Sequence, residues 1–188
     1  ELSTLATRKG VLMLGGDSYQ KNPDNAIRAW AKLPEQLKRD HPLNIAGFTG
    51  GDNSAIMKTL KELGIVDQVN IYKWVDDSRL IELFQQSSVL LFASREEGFG
   101  FPLIQAFACG TPVVTSEAEV LREIGGDCAL TAPAEQPDLL SKRIEEIVLC
   151  PDKWQKLHNL SLNRAKSFTW DITTKHIAKT YIETINNE

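Results

Sequence analysis

The order of apolar segments in this chain predicts an α/β fold: one domain built on a parallel sheet of about six strands, with helices on both faces and a helical C-terminal tail over residues 135–188. Two observations carry the prediction. Apolar runs of strand length alternate with helix-period segments almost from end to end, the order that a parallel sheet with crossover helices requires. Those runs are also near-continuously apolar, as strands buried on both faces are, and lack the strict alternation of a half-exposed sheet.

The expected strands are GVLMLGG from Gly10, LNIAGF from Leu43, VNIY from Val69, SVLLFA from Ser88, TPVVT from Thr111 and a short CALT from Cys128. Between the first two, Pro23 opens a helix behind Asn22 as its cap, and Ala26, Ile27, Trp30 and Leu33 line one face until Pro34 interrupts. Ile56, Met57, Leu60 and Leu63 form the next stripe, closed by Gly64. Leu80, Ile81, Leu83 and Phe84 make a third, and Leu103, Ile104, Phe107 and Ala108 a fourth that ends at Gly110. After residue 134 only helix periods remain, around Leu140, Ile144 and Ile147, then Trp154, Leu157 and Leu160, then Ile172, Ile177, Tyr181 and Ile185. Helices in such a tail either cover an open face of the sheet or reach across to another domain.

Composition bounds the function. With 188 residues, 42% of them hydrophobic, the chain supports one well-cored domain, and disordered or collagen-like architectures are excluded. The longest apolar run, Val89 to Ala93, falls far short of the ~20 residues that span a bilayer, and the opening ELSTLATRKG lacks the basic-then-apolar order of a secretory signal. A net charge of -4 offers no global field to a nucleic acid, so any phosphate ligand must be held by local groups. Cys109, Cys128 and Cys150 stand among apolar residues without metal-type spacing, which predicts buried, reduced thiols and a reducing, cytoplasmic setting. His41, His158 and His176 are far apart and read as packing or solvent residues; no metal site is expected.

In open parallel sheets, ligands sit beyond the carboxyl ends of the strands, so the strand-to-helix loops are the places to search. The loop after the first strand reads GGDSYQKNP, from Gly15 to Pro23. Its paired glycines, Lys21 and the new helix's amides make a local anion site, or else a plain turn with a solvated lysine. It lacks the spacings of a nucleoside-triphosphate P-loop and of a dinucleotide fold. The loop after the fourth strand reads SREEGFGFP, from Ser94 to Pro102, and leads into LIQAFACG. Free amides and a helix N-terminus converge there, which suits a phosphate or a sugar hydroxyl; the same residues also make a tight turn whose carboxylates start the helix.

The stretch EEGFGFPLIQAFACGTPVV, from Glu96 to Val114, resembles the signature of the group 1 (family-four) retaining glycosyltransferases. The resemblance extends to GGDSYQKN in the first loop and to SEAEVLREIGGDCALTAPAEQPDLLSKRIEEI from Ser116, so three elements in order cover nearly the whole chain. Members of that family have two Rossmann-like domains facing a cleft. This chain resembles the C-terminal, donor-binding one, which implies that residues 1–188 are half of a larger enzyme.

The resemblance implies a nucleotide-sugar donor, UDP- or GDP-linked, and transfer of its hexose with retention to a sugar, lipid or glycan acceptor. It implies no further cofactor, and an acceptor reached through the absent N-terminal domain, with room for peripheral association of the whole protein with a membrane. By the same resemblance, Lys21 contacts the donor diphosphate and Glu97 the transferred hexose, while Gly15, Gly16, Gly98, Phe99 and Gly100 bring backbone close to the donor. The family often carries an arginine five residues before the lysine, where this chain has Gly16. It also carries a second glutamate eight residues after the first, where this chain has Gln105. A glutamine replaces a charge-assisted bond to ribose with a neutral one of roughly half the strength. Trp74, in the turn YKWVDD after the third strand, either stacks on a nucleobase or plugs the end of the sheet. Two further readings stay open: a non-catalytic partner domain with a degenerate donor site, and a related nucleotide-sugar epimerase.

Overall fold

The computed structural model describes residues 4–186, so the outermost residues of the expected domain and tail, 1–3 and 187–188, lie outside it. All six expected strands form: β1 (Val11–Leu14), β2 (Leu43–Ala46), β3 (Val69–Tyr72), β4 (Val89–Phe92), β5 (Val113–Ser116) and β6 (Ala129–Ala132). They pair in parallel in the order β3-β2-β1-β4-β5-β6. The chain therefore winds outward from β1 in one direction and then, from β4, in the other. This reversal leaves a crevice beyond the carboxyl ends of β1 and β4.

The helices are α1 (Pro23–Ala31), α2 (Glu35–Asp40), α3 (Ala55–Leu63), α4 (Asp77–Gln86), α5 (Phe101–Ala108), α6 (Glu119–Gly125), α7 (Pro137–Val148), α8 (Pro151–Ala165) and α9 (Trp170–Asn186). Alternate residues of each central strand feed the two faces. Val11, Met13, Val89, Leu91 and Val114 join Ile27, Trp30, Leu60, Leu140 and Ile144 in one core, under α1, α3 and α7. Leu12, Leu90, Phe92 and Val113 join Phe84, Leu103, Phe107 and Leu121 in the other, under α4, α5 and α6. Strands β1 and β4, apolar at every position, need both layers and receive them, whereas the edge strands depart from the expected two-faced burial: β6 is half-buried and β3 has no buried residue.

Two parts of the tail behave differently. Helices α7 and α8 bury Leu140, Ile144, Ile147, Trp154 and Leu157. Helix α9 buries none of its described side chains, and Trp170, Ile177, Tyr181, Ile182 and Ile185 are all exposed. The thiols also depart from expectation: Cys128 is buried, but Cys109 is half-buried and Cys150 exposed, because Cys150 sits at the α7–α8 junction, clear of either core.

At the amino end of the sheet, two indoles are buried with their N–H groups satisfied. Trp30 Nε1 donates to the His41 carbonyl (2.9 Å) and Trp154 Nε1 to that of Ser88 (2.8 Å). Ser88 Oγ donates to the Arg8 carbonyl (2.9 Å), so at 3.0 Å from His41 Nδ1 it accepts from that ring's N–H. His158 stacks on Trp154 and its Nδ1 donates to the Gly110 carbonyl (2.6 Å). The guanidinium of Arg8 spans the junction, donating to the carbonyl of Cys109 (2.8 Å) and to Thr111 Oγ1 (3.0 Å).

Burial pushes the pKa of both His41 and His158 down, with Lys9 adding to the effect at His41 and Arg8 at His158; Asp40 and the Gly110 carbonyl oppose it. The unfolded chain, with imidazoles near their usual value of about 6.5, binds protons that the folded chain refuses. Stability is therefore fully present above that value and falls as the pH drops from there toward the depressed folded values. The thermal midpoint is expected to be level above pH 7 and to fall between pH 6.5 and 5, and a His41→Gln/His158→Gln double variant is expected to flatten that slope. A midpoint that does not move over this range contradicts the assignment.

Candidate functional site

The β1–α1 loop runs along the mouth of the crevice and is laced to the β4–α5 loop. The backbone N–H of Arg95 donates to the Gln20 carbonyl (2.7 Å). The Arg95 guanidinium donates to the Tyr19 carbonyl, lies 4.0 Å from the Tyr19 ring centroid and pairs with Glu135. Lys21 Nζ is 2.7 Å from Glu97 Oε1, and Asn22 Nδ2 donates to the Ala93 carbonyl (3.0 Å). Residues 19–22 are thus tied to residues 93–97 across the point where the sheet reverses.

Asn22 was expected to cap α1 through its side chain, and it does not. It is fully buried and left-handed, with φ 53° and ψ 46°, a conformation that asparagine tolerates better than most residues. Its amide donates to the carbonyls of Ala93 and Ala134 (2.8 Å), and its Oδ1 accepts from Asn25. Asn25 also donates to Glu135 (2.9 Å). The side chain that local sequence assigns to a helix start is recruited instead to join three loops, because buried strand-end carbonyls need donors.

Lys21 leaves a short 3-10 turn (Tyr19–Lys21) whose cap, Ser18 Oγ, accepts from the Lys21 amide. Its ammonium lies 5.3 Å from the Phe92 ring centroid. The Lys21 side chain is 39% exposed and that of Glu97 only 13%, so the pair lies at the surface with its acid end sunk. The two glycines of this loop have distinct reasons. A side chain at Gly15 would place a Cβ 2.6 Å from the Phe48 backbone nitrogen, a contact that nothing can relieve without moving β2. A Cβ at Gly16 would lie 2.8 Å from Lys21 Cγ, so Gly16 leaves the space along which the lysine stem reaches Glu97. An arginine there would compete for it.

Beyond Glu97, Gly100 is the N-cap of α5 with φ 95°, a value that strains any residue with a side chain, and a Cβ would also meet Leu121 at 2.8 Å. Phe99, between Gly98 and Gly100, is half-exposed. The pocket under this loop, about 340 Å³, is lined by Arg95, Glu96, Glu97, Glu119 and Glu123 with Ala118 and Val120. Arg95, whose guanidinium meets Glu135 at 2.5 Å, holds that carboxyl below its usual range, with Asn25 adding to the effect. The crevice therefore carries carboxylates on one wall, of which Glu97 is held by Lys21, and two cations already engaged, at Lys21 and Arg95.

The structure brings Lys21, Gly15, Gly16, Glu97, Gly98, Phe99 and Gly100 to one crevice. Gln105 lies elsewhere: it is exposed on the second turn of α5 and lines a groove with Asp77, Leu80, Phe84 and Cys109. Trp74 is 77% exposed on the β3–α4 loop, which removes the reading in which it plugs the sheet. The adjacent acids Asp76 and Asp77 start α4, with Asp76 accepting from the Arg79 amide. Glu119 opens α6 and Glu117 precedes it. Arg95, Glu135 and the cross-linking role of Asn22 were missed; Arg95 stands inside the glycine-loop motif and is its only cation, and that was the available signal.

A family model described as Glycosyl transferases group 1 matches residues 3–166. The chain is 28% identical over 178 residues to O-antigen chain mannosyltransferase B of Escherichia coli, spanning 94% of this chain and 46% of that relative. Sucrose-phosphate synthase of Thermosynechococcus elongatus superposes with a TM-score of 0.81 at 21% identity, over 96% of this chain and 46% of that one. The pneumococcal O-GlcNAc transferase GtfA, solved in complex with UDP and GlcNAc, superposes with a TM-score of 0.72 at 19% identity, over 97% of this chain and 36% of that one. These structural likenesses establish a shared fold. The chain spans less than half the length of each of these proteins.

The lacing of the two loops gives a direct test. Asn22→Asp keeps the left-handed preference but replaces two donated hydrogen bonds with a carboxylate facing carbonyl oxygens. In urea unfolding, a loss of about 2–3 kcal/mol is expected, the range for leaving buried polar groups unpaired. An unchanged midpoint contradicts the role assigned to Asn22.

Proposed function

Because this chain belongs to the group 1 glycosyl transferase family, we propose that it is the C-terminal, nucleotide-sugar-binding half of a retaining hexosyltransferase. The observation that carries the reading is the Lys21–Glu97 pair across the sheet's reversal point, beside a pocket walled by Glu96, Glu119 and Glu123. Carboxylates accept hydrogen bonds from sugar hydroxyls and repel phosphates, whereas Lys21 and the N-terminus of α5 favour anions. A sugar diphosphate fits this division, with its hexose toward the acids and its diphosphate toward the lysine.

Transfer breaks the bond between the anomeric carbon and the diphosphate, and negative charge grows on the departing oxygen. A fixed ammonium and oriented amides stabilise that charge where it develops, without rearranging as it forms. Glu97 has two roles in sequence: it holds Lys21 in place before the donor arrives, then accepts from a hexose hydroxyl as Lys21 turns to phosphate. The neighbour solved with UDP supports a uridine diphosphate, and the similarity to a mannosyltransferase supports a hexose.

Two observations support a missing second half. The relatives are more than twice as long as the stretch matched. Helix α9 also carries a stripe of Trp170, Ile177, Tyr181 and Ile185 left exposed among the described residues, a stripe that another domain would cover. The acceptor and closure of the cleft belong to that half, so the chain alone is expected to show no transfer.

Calorimetry of the chain with UDP, GDP and ADP tests the reading. At least one is expected to bind below millimolar, and no binding to any of them contradicts it. Lys21→Ala is expected to weaken the diphosphate by about tenfold or more, the scale of a charge-assisted hydrogen bond, and to leave the bare nucleoside unaffected. Glu97→Gln frees Lys21 and removes a negative charge, so it is expected to bind the nucleoside diphosphate more tightly while abolishing transfer in the full-length enzyme. Weaker binding by that variant contradicts the holding role of Glu97.

A further inference from the structure

The glycine loop that carries Glu97 has two anchors of different kinds. Glu97 itself is fixed by Lys21. Gly98 has open space where a side chain would be, and Gly100 is left-handed, so the segment between Glu97 and α5 gains little restraint from its own residues. The exception is Phe99. Its ring centroid lies 5.0 Å from that of Phe101 at 61° and 6.3 Å from that of Phe168 at 82°, both edge-on geometries. Phe101 belongs to the same loop and helix. Phe168 comes from the opposite end of the chain, in the turn between α8 and α9.

Phe168 is itself well held. Its amide donates to the Ala165 carbonyl (3.0 Å), closing the end of α8. The Arg164 guanidinium lies 4.9 Å from the Phe168 ring centroid and donates to the carbonyls of Glu123 (2.8 Å) and Ile124 (3.1 Å) at the end of α6. Arg164 thus joins α6, α8 and the turn, and Phe168 presents the result to Phe99. Around these rings lies a pocket of about 590 Å³, lined in part by Trp170 and Ile104. This is space into which Phe99 can swing if nothing stops it.

We propose that Phe168 is a positioning residue for the donor loop: it holds Phe99, and through it Glu97 and the first amides of α5, in place opposite Lys21. The assignment deepens the reading of the crevice as a sugar-nucleotide site and rests on it. It also makes the α8–α9 turn part of that site. Helix α9 departs two residues beyond Phe168, so whatever covers its apolar stripe also bears on the loop.

Amide hydrogen exchange of the ligand-free chain, together with calorimetry, tests the proposal on Phe168→Ala, Phe168→Tyr and Phe99→Ala. Phe168→Ala is expected to speed exchange over residues 97–101 and leave β4 unchanged. It is also expected to weaken the bound nucleoside diphosphate by about two- to tenfold, the range of an aromatic pair. Phe168→Tyr is expected to behave as the native chain, and Phe99→Ala combined with Phe168→Ala to lose no more than Phe99→Ala alone. Native exchange over residues 97–101 in Phe168→Ala overturns the proposal. If the native chain binds none of the nucleotides while Phe168→Ala still loosens the loop, the donor reading fails and the control of the loop by Phe168 survives. If the native chain binds and Phe168→Ala matches it in both measurements, Phe168 has no positioning role and the donor reading survives.

Discussion

Asn22 donates from one amide to the last carbonyls of two different structural units, Ala93 after β4 and Ala134 after β6. Those carbonyls lie past the sheet ladders that would otherwise satisfy them, the Ala93 bond buried and the Ala134 bond partly so. Asn22 meets both from a left-handed backbone. That backbone turns the chain from the 3-10 turn carrying Lys21 directly into α1. The position of the lysine, the start of α1 and the seating of the β6–α7 loop are therefore consequences of one buried amide. Arg95 and Glu135 extend the same cross-link outward to the surface.

The same economy governs the electrostatics. A chain of net charge -4 has no field to gather anions, and the crevice wall formed by Glu96, Glu97, Glu119 and Glu123 opposes them. In the function we propose, anion recognition rests on the ammonium of Lys21 and one helix end, with Lys21 placed to within a hydrogen bond of Glu97. Placement at that precision needs rigid support, and the loops receive it from both sides: Asn22 and Arg95 behind Lys21, and Phe99 with its aromatic neighbours behind Glu97. The acids that oppose phosphate are the groups that suit a polyol, which is why a sugar diphosphate is the ligand we propose for the crevice.

Much of this was legible in the sequence. The strands were readable because residues such as Val89 to Phe92 are apolar at every position, which only a sheet covered on both faces explains. Gly64 and Gly110 marked the ends of α3 and α5, whereas α1 stops at Ala31, short of Pro34, which starts α2. Lys21 and Glu97 stand out as candidates by resemblance and by the physics of strand-end loops, and the structure pairs them. The partners of Asn22 were not legible, because a helix cap and a tertiary cross-link draw on the same residue type and the carbonyls at stake lie 71 and 112 residues away. The placement of Trp74 in solvent escaped for a similar reason: its surroundings depend on how a loop leaves the sheet. The exposure of α9 was half legible, since its apolar period was plain while the lack of a covering surface among the described residues was not.

We propose that Lys21, held on Glu97 by the lacing of two loops, is the group that receives a diphosphate. A crystal structure of the chain with UDP or GDP is the decisive measurement. Its expected result is the diphosphate within hydrogen-bond distance of Lys21 Nζ and facing the N-terminus of α5, Glu97 released from the lysine, and the contacts of Asn22 with Ala93 and Ala134 intact. A nucleotide seated elsewhere, or bound in the crevice while Lys21 remains on Glu97, contradicts it.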